Sequence, residues 1–203
     1  MCIRDSYALG VTNVLIKLDN LEVPILDGSA KYFVEGIQKV GLKVQNAPLK
    51  TIKLPDSIRY TDKESGSEIL FVPANNFTLS ALLDYENPVL GTQYAEIKDF
   101  DNYPEEIATC KTFVLLTELE QLSQADLIKG GDLHNAIVLI DRDDIKVKDI
   151  KKLAHLLGKD HSDIQVNGNV LNNCELQFYN EPARHKLLDV IGDLALIGMP
   201  IMG

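Results

Sequence analysis

Hydrophobic and polar positions along the chain follow two different periods, which alternate from segment to segment. Residues 51–100 show the two-residue alternation of half-buried strands, with turn residues between four segments: TIKLPDSIRY, EILFVPA, FTLSALLDY and TQYAEIK. We expect these strands to pair antiparallel. Residues 30–41 instead repeat apolar positions every three or four residues, as amphipathic helices do. The succession of strand and helix groups predicts an α+β protein.

The helix predicted over residues 30–41 has signals at both ends. Ser29 is a candidate N-cap, and Gly41 is a candidate C-terminal stop. The expected buried stripe consists of Phe33, Val34, Ile37 and Val40.

Two segments flank this helix. Residues 11–29 predict two short strands, LIKL and VPIL, joined by a turn at Asp19-Asn20. The polar segment 43–50 contains a proline and predicts a linker, with a second domain beginning near Thr51.

The second half of the chain predicts more helices and strands. Residues 104–126 begin with a proline and two glutamates, which favours a helix N-terminus. A last helix begins at Pro182. Between them we expect a turn at Gly130-Gly131, a buried strand at 136–141, a helix at 146–160 with the apolar face Ile150, Leu153, Leu156 and Leu157, and strands around an Asn-Gly turn at 164–178.

Composition and charge exclude several classes of protein. The net charge of −10 argues against a nucleic-acid partner, because phosphate binding needs clustered lysines and arginines. The apolar stretch 194–203 is too short to span a bilayer and contains Pro200, so no integral membrane segment is expected. The first six residues lack the apolar run of a signal peptide. Three cysteines at unrelated spacings are typical of reduced thiols in a cytoplasmic protein.

The last predicted helix carries the candidate chemistry. In NEPARHKLLDVIGDLALIG, residues 180–198, His185, Asp189 and Asp193 follow one another at intervals of four, which places them on one helix face. A histidine and an aspartate one turn apart can bind a divalent metal, although such a pair is more often exposed on a helix surface. The surrounding leucines, valine and isoleucine favour a metal, because buried charges are normally paired or metal-bound.

The segment ARHKLLDVIGDL resembles the zinc-site helix of UDP-3-O-acyl-N-acetylglucosamine deacetylase, a cytosolic enzyme of lipid A synthesis. Four other segments resemble the same family in the same order: LGVTNVLIKLD, VPILDGSAKYFV, CKTFVLLTELEQL and IKGGDLHNAIVL. The resemblance implies two similar domains, each a sheet layered with helices, with the active site between them. Residues 8–47 would then end the first domain and residues 48–203 would form most of the second. The implied reaction is zinc-dependent hydrolysis of the N-acetyl group of a UDP-linked, acylated glucosamine.

The resemblance also implies roles for individual residues. His185 and Asp189 resemble two of three zinc ligands, and Asp193 resembles the carboxylate that orients a catalytic histidine. Thr112 matches a threonine beside the metal that contacts the oxyanion, and Lys186 matches a lysine near the polar head of the substrate. A solvated helix position is the alternative for Lys186.

Three further positions match substrate contacts of the family. Phe113 and Leu115 lie where the family lines its acyl-chain passage, although ordinary core packing would explain both. Lys53 matches a second substrate-contacting lysine. The other histidines match no role in the family and are expected at the surface or in loops: His134, His155 and His161.

The resemblance places the third ligand and the general base in a Glu-His pair shortly before Leu9-Gly10. Counted back without gaps, that histidine falls on Met1 and the glutamate falls before it, and MCIRDS resembles nothing in the family. The catalytic histidine of the family falls beyond Gly203. We therefore expect residues 1–7 to be a non-native start, the second domain to lack its end, and this chain to bind zinc weakly with little turnover. The insert at 143–173 resembles the form fused to a 3-hydroxyacyl carrier-protein dehydratase. Two alternatives are a metal-free binding relative and a zinc amidohydrolase that acts on another N-acyl sugar.

Overall fold

A computed structural model describes residues 2–87, 90–124, 132–142, 147–156, 160, 162, 164–171 and 175–202. Helices and strands alternate along this part of the chain, as the α+β prediction requires. In order, the elements are α1 (Cys2–Ala8), α2 (Lys31–Val40), β1 (Ile52–Lys53), β2 (Ile58–Thr61), β3 (Glu68–Phe71), β4 (Leu79–Asp84), β5 (Thr92–Ile97), a 3-10 turn (Phe100–Asn102), α3 (Tyr103–Glu106), β6 (Phe113–Leu115), α4 (Leu116–Gln124), β7 (Ile137–Leu139), α5 (Val147–Leu156), β8 (Val166–Asn167), β9 (Val170–Leu171), α6 (Glu181–Ala195) and β10 (Ile201–Met202).

The described strands form four small sheets. The largest has the order β6-β7-β9-β8, in which β6 and β7 run parallel and β9 pairs antiparallel with both β7 and β8. Hairpins β2–β3 and β4–β5 are antiparallel, as predicted. The exception is β1, which pairs parallel with β10 from the opposite end of the chain. The arrangement as two similar layered domains stays a prediction.

Helix α6 lies at the centre of the main hydrophobic core. Its apolar face contacts the β4–β5 hairpin on one side and α1 on another. Leu187, Leu188 and Ile191 are completely buried in this cluster, together with Ile107 and Ala108 from the segment after α3. Helix α6, which carries the candidate site residues, is therefore held by packing along much of its length. A second cluster fills the space between α4, α5 and the four-stranded sheet.

The predicted strands at residues 11–29 are absent from the structure. This segment consists of turns and extended chain, and most of its side chains are exposed, with Leu21 exposed to 97%. Strand alternation stabilises a segment only when a neighbouring strand completes its hydrogen bonds, and none of the described strands pairs with it.

The prediction of one continuous helix over residues 104–126 is wrong in the middle of that range. The structure has the single turn α3, then a buried loop, then strand β6 and helix α4. Phe113, Val114 and Leu115 pair in register with β7 instead of continuing a helix. A short apolar run fits either a buried strand or a helix, and the partner strand decides between them.

Several smaller predictions are confirmed or refined. Helix α2 ends at Gly41 as expected, but only Val34 of its stripe is fully buried, and Val40 is exposed. Ser29 precedes the N-cap position, although its Oγ accepts the Lys31 N–H at 3.2 Å. The buried strand β7, helix α5 and the β8–β9 hairpin occur where predicted, with Gly168 and Asn169 as the turn residues.

Other predictions fall outside what the structure describes. The Gly130-Gly131 turn, Leu157 and His161 lie outside the described residues, as do the side chains of Leu156 and His155. Among the described helices, none is long and apolar enough to cross a lipid bilayer.

The chain before Thr51 packs against the rest of the molecule mainly through α1 and through the segment at the start of α2. Helix α1, which includes residues 2–7 of the predicted non-native start, packs against α6. Ala30 and Val34 enter the main core, and the Ala30 N–H donates to the Ala108 carbonyl at 2.8 Å. Residues 43–50 are exposed throughout, as expected of a linker. The domain boundaries and the foreign origin of residues 1–7 stay predictions.

Candidate metal and active site

His185 and Asp189 face each other on α6. The imidazole is 5% exposed, and its Nδ1 lies 3.0 Å from the Cys110 carbonyl oxygen. Because a carbonyl oxygen only accepts hydrogen bonds, Nδ1 carries the proton of the neutral ring and Nε2 keeps its lone pair. That Nε2 lies 3.7 Å from Oδ1 of Asp189. Histidines that bind a metal usually donate the N–H of their other ring nitrogen to such a partner, so the ring of His185 is compatible with this role.

Burial keeps the imidazole neutral, and two cations contact the neighbouring carboxylate. Burial lowers the pKa of His185 below its usual 6.5, although the Cys110 hydrogen bond and the Asp189 charge oppose this shift. Asp189 contacts two cations, Lys186 Nζ at 3.0 Å from Oδ2 and Arg4 at 3.7 Å from Oδ1. Burial lowers the pKa of Lys186, but the hydrogen bond to Asp189 and its charge outweigh burial and raise the pKa above its ordinary value.

The donor pair fits two positions of a zinc site. Two ligand atoms of a tetrahedral zinc with bonds of about 2.1 Å lie roughly 3.4 Å apart. The observed separation of Nε2 and Oδ1, 3.7 Å, is close to that value without any rearrangement of the helix. Among the described residues, no group of three or more histidine, cysteine, aspartate or glutamate side chains could enclose a metal. The described residues thus bring together two candidate ligands, and their role as metal ligands stays a prediction.

Asp189 and Asp193 open onto a groove with a volume of about 700 Å³. Lys186 lines the same groove, opposite α1 and the extended segment that contains Ile16 and Leu18. The expectation of a wholly apolar setting holds for His185 but is wrong for the other end of the helix. Asp193 is exposed there, and Leu196 is exposed to 71%. The acidic positions are thus accessible to a ligand while the histidine is buried behind them.

Thr112 lies two residues after the carbonyl that holds His185. Its backbone N–H donates to the Gly28 carbonyl at 3.0 Å, and its own carbonyl accepts the Ile137 N–H at 2.8 Å. The threonine is half-buried. Cys110 and Lys111 contact α6 through the His185 ring and the Glu181 carboxylate, so Thr112 directly follows a segment that packs on this helix. Its role beside a metal stays a prediction.

The predicted substrate-contacting residues lie in two different places. Phe113 and Leu115 project from one face of β6 and are half-buried against a small apolar cluster. The buried members of that cluster are Leu90, Ile137 and Leu139. Lys53 is exposed on β1, in register with Met202, and is not among the described residues that line the groove.

Glu181 and Arg184 are features of the site that sequence reasoning missed. Together with His185 they hold segment 106–111 at three points. Arg184 donates to the Glu106 carbonyl at 2.9 Å, and Glu181 accepts the Lys111 N–H at 2.9 Å. Spacings of three and four residues, which place side chains on one helix face, were the available signal. The sequence offered no indication of the segment that they contact.

The Cys110 thiol is expected to be inert in the folded chain. The residue is completely buried, and burial, together with the nearby Glu181 charge, raises the pKa of the thiol to about 12. We expect iodoacetamide to label it at least about 100-fold more slowly in the native chain than in urea. Mass-spectrometric mapping of the labelled peptide measures this ratio. Rapid native labelling of Cys110 would contradict the buried placement.

The raised pKa of Cys110 also has a consequence for stability. The unfolded thiol ionises near its usual 9.0, whereas the folded thiol resists ionisation up to about 12. The folded state therefore binds more protons in this window, and its stability falls as the pH rises above 9.0. A Cys110→Ala variant should show a shallower alkaline loss of stability in urea unfolding.

Comparisons with known proteins show the family of this chain. The family model described as UDP-3-O-acyl N-acetylglycosamine deacetylase matches residues 5–156 and 146–203. The bifunctional enzyme LpxC/FabZ of Bacteroides thetaiotaomicron is 45% identical over 197 residues, which cover 97% of this chain and 42% of that enzyme. The UDP-3-O-acyl-N-acetylglucosamine deacetylase of Helicobacter hepaticus is 36% identical over 198 residues, which cover 97% of this chain and 57% of that enzyme. The chain thus spans about half the length of these curated relatives, and it belongs to the UDP-3-O-acyl-N-acetylglucosamine deacetylase family.

Proposed function

We propose that this chain is part of a cytoplasmic, zinc-dependent enzyme that removes the acetyl group from UDP-3-O-acyl-N-acetylglucosamine in lipid A biosynthesis. The observation that carries the proposal is the neutral, buried His185, whose Nε2 faces the Asp189 carboxylate on α6. This is the donor arrangement that a hydrolytic zinc site needs from two of its ligands.

His185 and Asp189 would hold the zinc ion. Bound zinc supplies a Lewis acid that makes both water and an amide carbonyl more reactive. The Cys110 carbonyl keeps the His185 ring in the required tautomer, so the ligand is prepared before the metal arrives. Asp189 is held in place by Lys186 at 3.0 Å, which limits its rotamers.

Three other candidate residues would contact the polar head of the substrate or the groups that react. Lys186 stays protonated because of Asp189, and its half-exposed ammonium in the groove can bind the anionic head of the substrate. Thr112 would contact the oxyanion formed on attack at the acetyl carbon. Asp193, exposed in the same groove, would orient the histidine that protonates the leaving amine.

The acyl chain is assigned to the apolar face of β6. Phe113 and Leu115 are half-buried there, and Tyr85 lies edge-on to Phe113 with ring centroids 6.3 Å apart. A half-buried aromatic and aliphatic surface offers the contact that a hydrocarbon chain needs. The role of Lys53 as a second substrate contact is supported only by its exposure.

We further propose that the parent enzyme carries a dehydratase. Three relatives with the printed name LpxC/FabZ are 39–45% identical to this chain, and five single-function deacetylases are 32–36% identical. This difference favours the fused form.

A hybrid enzyme tests the proposed function. Residues 5–203 of this chain would replace the matching segment of the Bacteroides thetaiotaomicron relative, which is 45% identical. We expect the purified hybrid to contain about one zinc per chain and to release acetate from UDP-3-O-acyl-N-acetylglucosamine. Metal analysis and a coupled acetate assay give the two readouts.

The same hybrid separates the rival functions. The hybrid could fold, bind zinc and hydrolyse another N-acyl sugar but not UDP-3-O-acyl-N-acetylglucosamine. That result would indicate an amidohydrolase with a different substrate. A folded hybrid with neither zinc nor activity would overturn the proposal and favour a metal-free binding relative. Circular dichroism beside the parent enzyme checks that the hybrid is folded.

A further inference from the structure

Glu181 carries a buried carboxylate with an unusual pair of partners. The residue is 1% exposed, and its two oxygens accept different backbone N–H groups, Lys111 at 2.9 Å and Gln177 at 2.7 Å. A carboxylate withdrawn from water is costly unless its oxygens are hydrogen-bonded. Its place in the first turn of α6 adds the favourable field of the helix N-terminus.

The Lys111 N–H belongs to the same peptide group as the Cys110 carbonyl. The Glu181 carboxylate therefore accepts the N–H of this peptide group. Nδ1 of His185 donates to the carbonyl oxygen of the same peptide group at 3.0 Å. The peptide is planar, so fixing one end also orients the other. Glu181 and His185 are one helical turn apart, and their side chains contact opposite ends of this planar peptide group.

This arrangement also polarises the peptide group. A negative charge at an N–H increases the electron density on the attached carbonyl oxygen, because hydrogen bonds in a chain strengthen one another. The Cys110 oxygen thus becomes a better acceptor for the Nδ1–H of His185. The effect resembles that of a carboxylate bound directly to a ligand histidine, which fixes its tautomer and raises its basicity.

The backbone on either side of this peptide group is also held by hydrogen bonds. Arg184 fixes the Glu106 carbonyl at 2.9 Å, and the Thr112 N–H is fixed by the Gly28 carbonyl at 3.0 Å. These contacts hold the segment on either side, and among the described contacts Glu181 is the one that accepts the N–H of the peptide between Cys110 and Lys111.

We propose that Glu181 is a positioning residue that sets the tautomer and orientation of His185 through the peptide group of Cys110 and Lys111. Its importance for catalysis rests on the proposed function, whereas the tautomer itself is a property of the metal-free chain. A purely structural Glu181, which only satisfies two buried amides, would leave the imidazole unchanged.

Long-range ¹H–¹⁵N spectra of the metal-free chain distinguish these roles at a pH well above the imidazole pKa. We expect His185 to be almost entirely Nδ1-protonated in the unsubstituted chain. In Glu181→Ala, the ratio of tautomers at His185 should shift at least about fivefold toward the Nε2–H form. Glu181→Gln has the same size but one acceptor fewer, and should give an intermediate shift.

Leu153→Ala is the matched control. This residue is 2% exposed in the second core cluster, so its truncation destabilises the chain without contact to α6. Its His185 spectrum should match that of the unsubstituted chain. An unchanged tautomer ratio in Glu181→Ala and Glu181→Gln, or an equal shift in Leu153→Ala, would overturn the proposal. Glu181→Gln supplies the measurement if the alanine variant does not fold.

The zinc affinity of the hybrid enzyme separates this inference from the proposed function. Glu181→Gln is expected to weaken zinc binding about 10–100-fold, the usual effect of losing an outer partner of a ligand. A hybrid with no deacetylase activity but a tautomer shift would overturn the proposed function and leave the role of Glu181 intact.

Discussion

Replacing His185 by alanine in the hybrid enzyme is expected to lower the rate of deacetylation by more than about 100-fold. Loss of an outer partner of a metal ligand costs about 10–100-fold, and loss of the ligand itself should exceed that range. The zinc content should fall well below one per chain, because the Asp189 carboxylate then remains without the neighbouring nitrogen donor. Both quantities are measured on the same purified preparation.

His134→Ala is the matched control for this prediction. The side chain of His134 is 75% exposed and contacts Asp132 rather than α6. Its removal deletes one imidazole from the chain but should leave zinc content and turnover near those of the unsubstituted hybrid. Full zinc occupancy in His185→Ala would remove His185 from the site. Equal losses in both variants would show that the effect is not specific to α6.

The helix that carries the candidate metal ligands could be predicted from the sequence because its information is local. Helical periodicity alone places His185 and Asp189 on one face, and Pro182 marks the beginning of the helix. The antiparallel hairpins between residues 58 and 97 were predictable for the same reason, since alternation and turn residues lie close together in sequence.

The partners of that helix could not be predicted, because they come from distant parts of the chain. The Glu181 carboxylate and the Lys111 N–H are 70 positions apart, and the His185 ring and the Cys110 carbonyl are 75 apart. Such contacts depend on tertiary packing, and a glutamate in a first helical turn is ordinarily explained by the helix dipole alone.

The errors at residues 11–29 and 104–126 have the same origin. Phe113 to Leu115 form a strand only because β7 lies alongside, and LIKL does not form one because none of the described strands pairs with it. Local patterns specify which side chains prefer burial, whereas the neighbouring element decides which backbone conformation satisfies that preference.

Gly28 lies in the loop before α2 and contacts the backbone of Thr112. Its φ of +81° lies in the left-handed region, and its carbonyl accepts the Thr112 N–H at 3.0 Å. A Cβ built on Gly28 would fall directly onto the carbonyl oxygen of Asn135, far inside van der Waals contact. The obstacle is backbone rather than a side-chain end, so the loop or the turn before β7 must move.

Gly28→Ala is therefore expected to lower the free energy of unfolding by at least about 3 kcal/mol. The cost of the left-handed conformation and the cost of displacing two backbone segments add to each other. Gly66→Ala is the matched control. Gly66 has a φ of +71° but no atom within 4 Å of its built Cβ, so only the conformational cost of about 1 kcal/mol should appear. Urea unfolding of both variants gives the difference. Equal losses in the two variants would contradict the contact between Gly28 and Asn135 and, with it, the position of the loop beside Thr112.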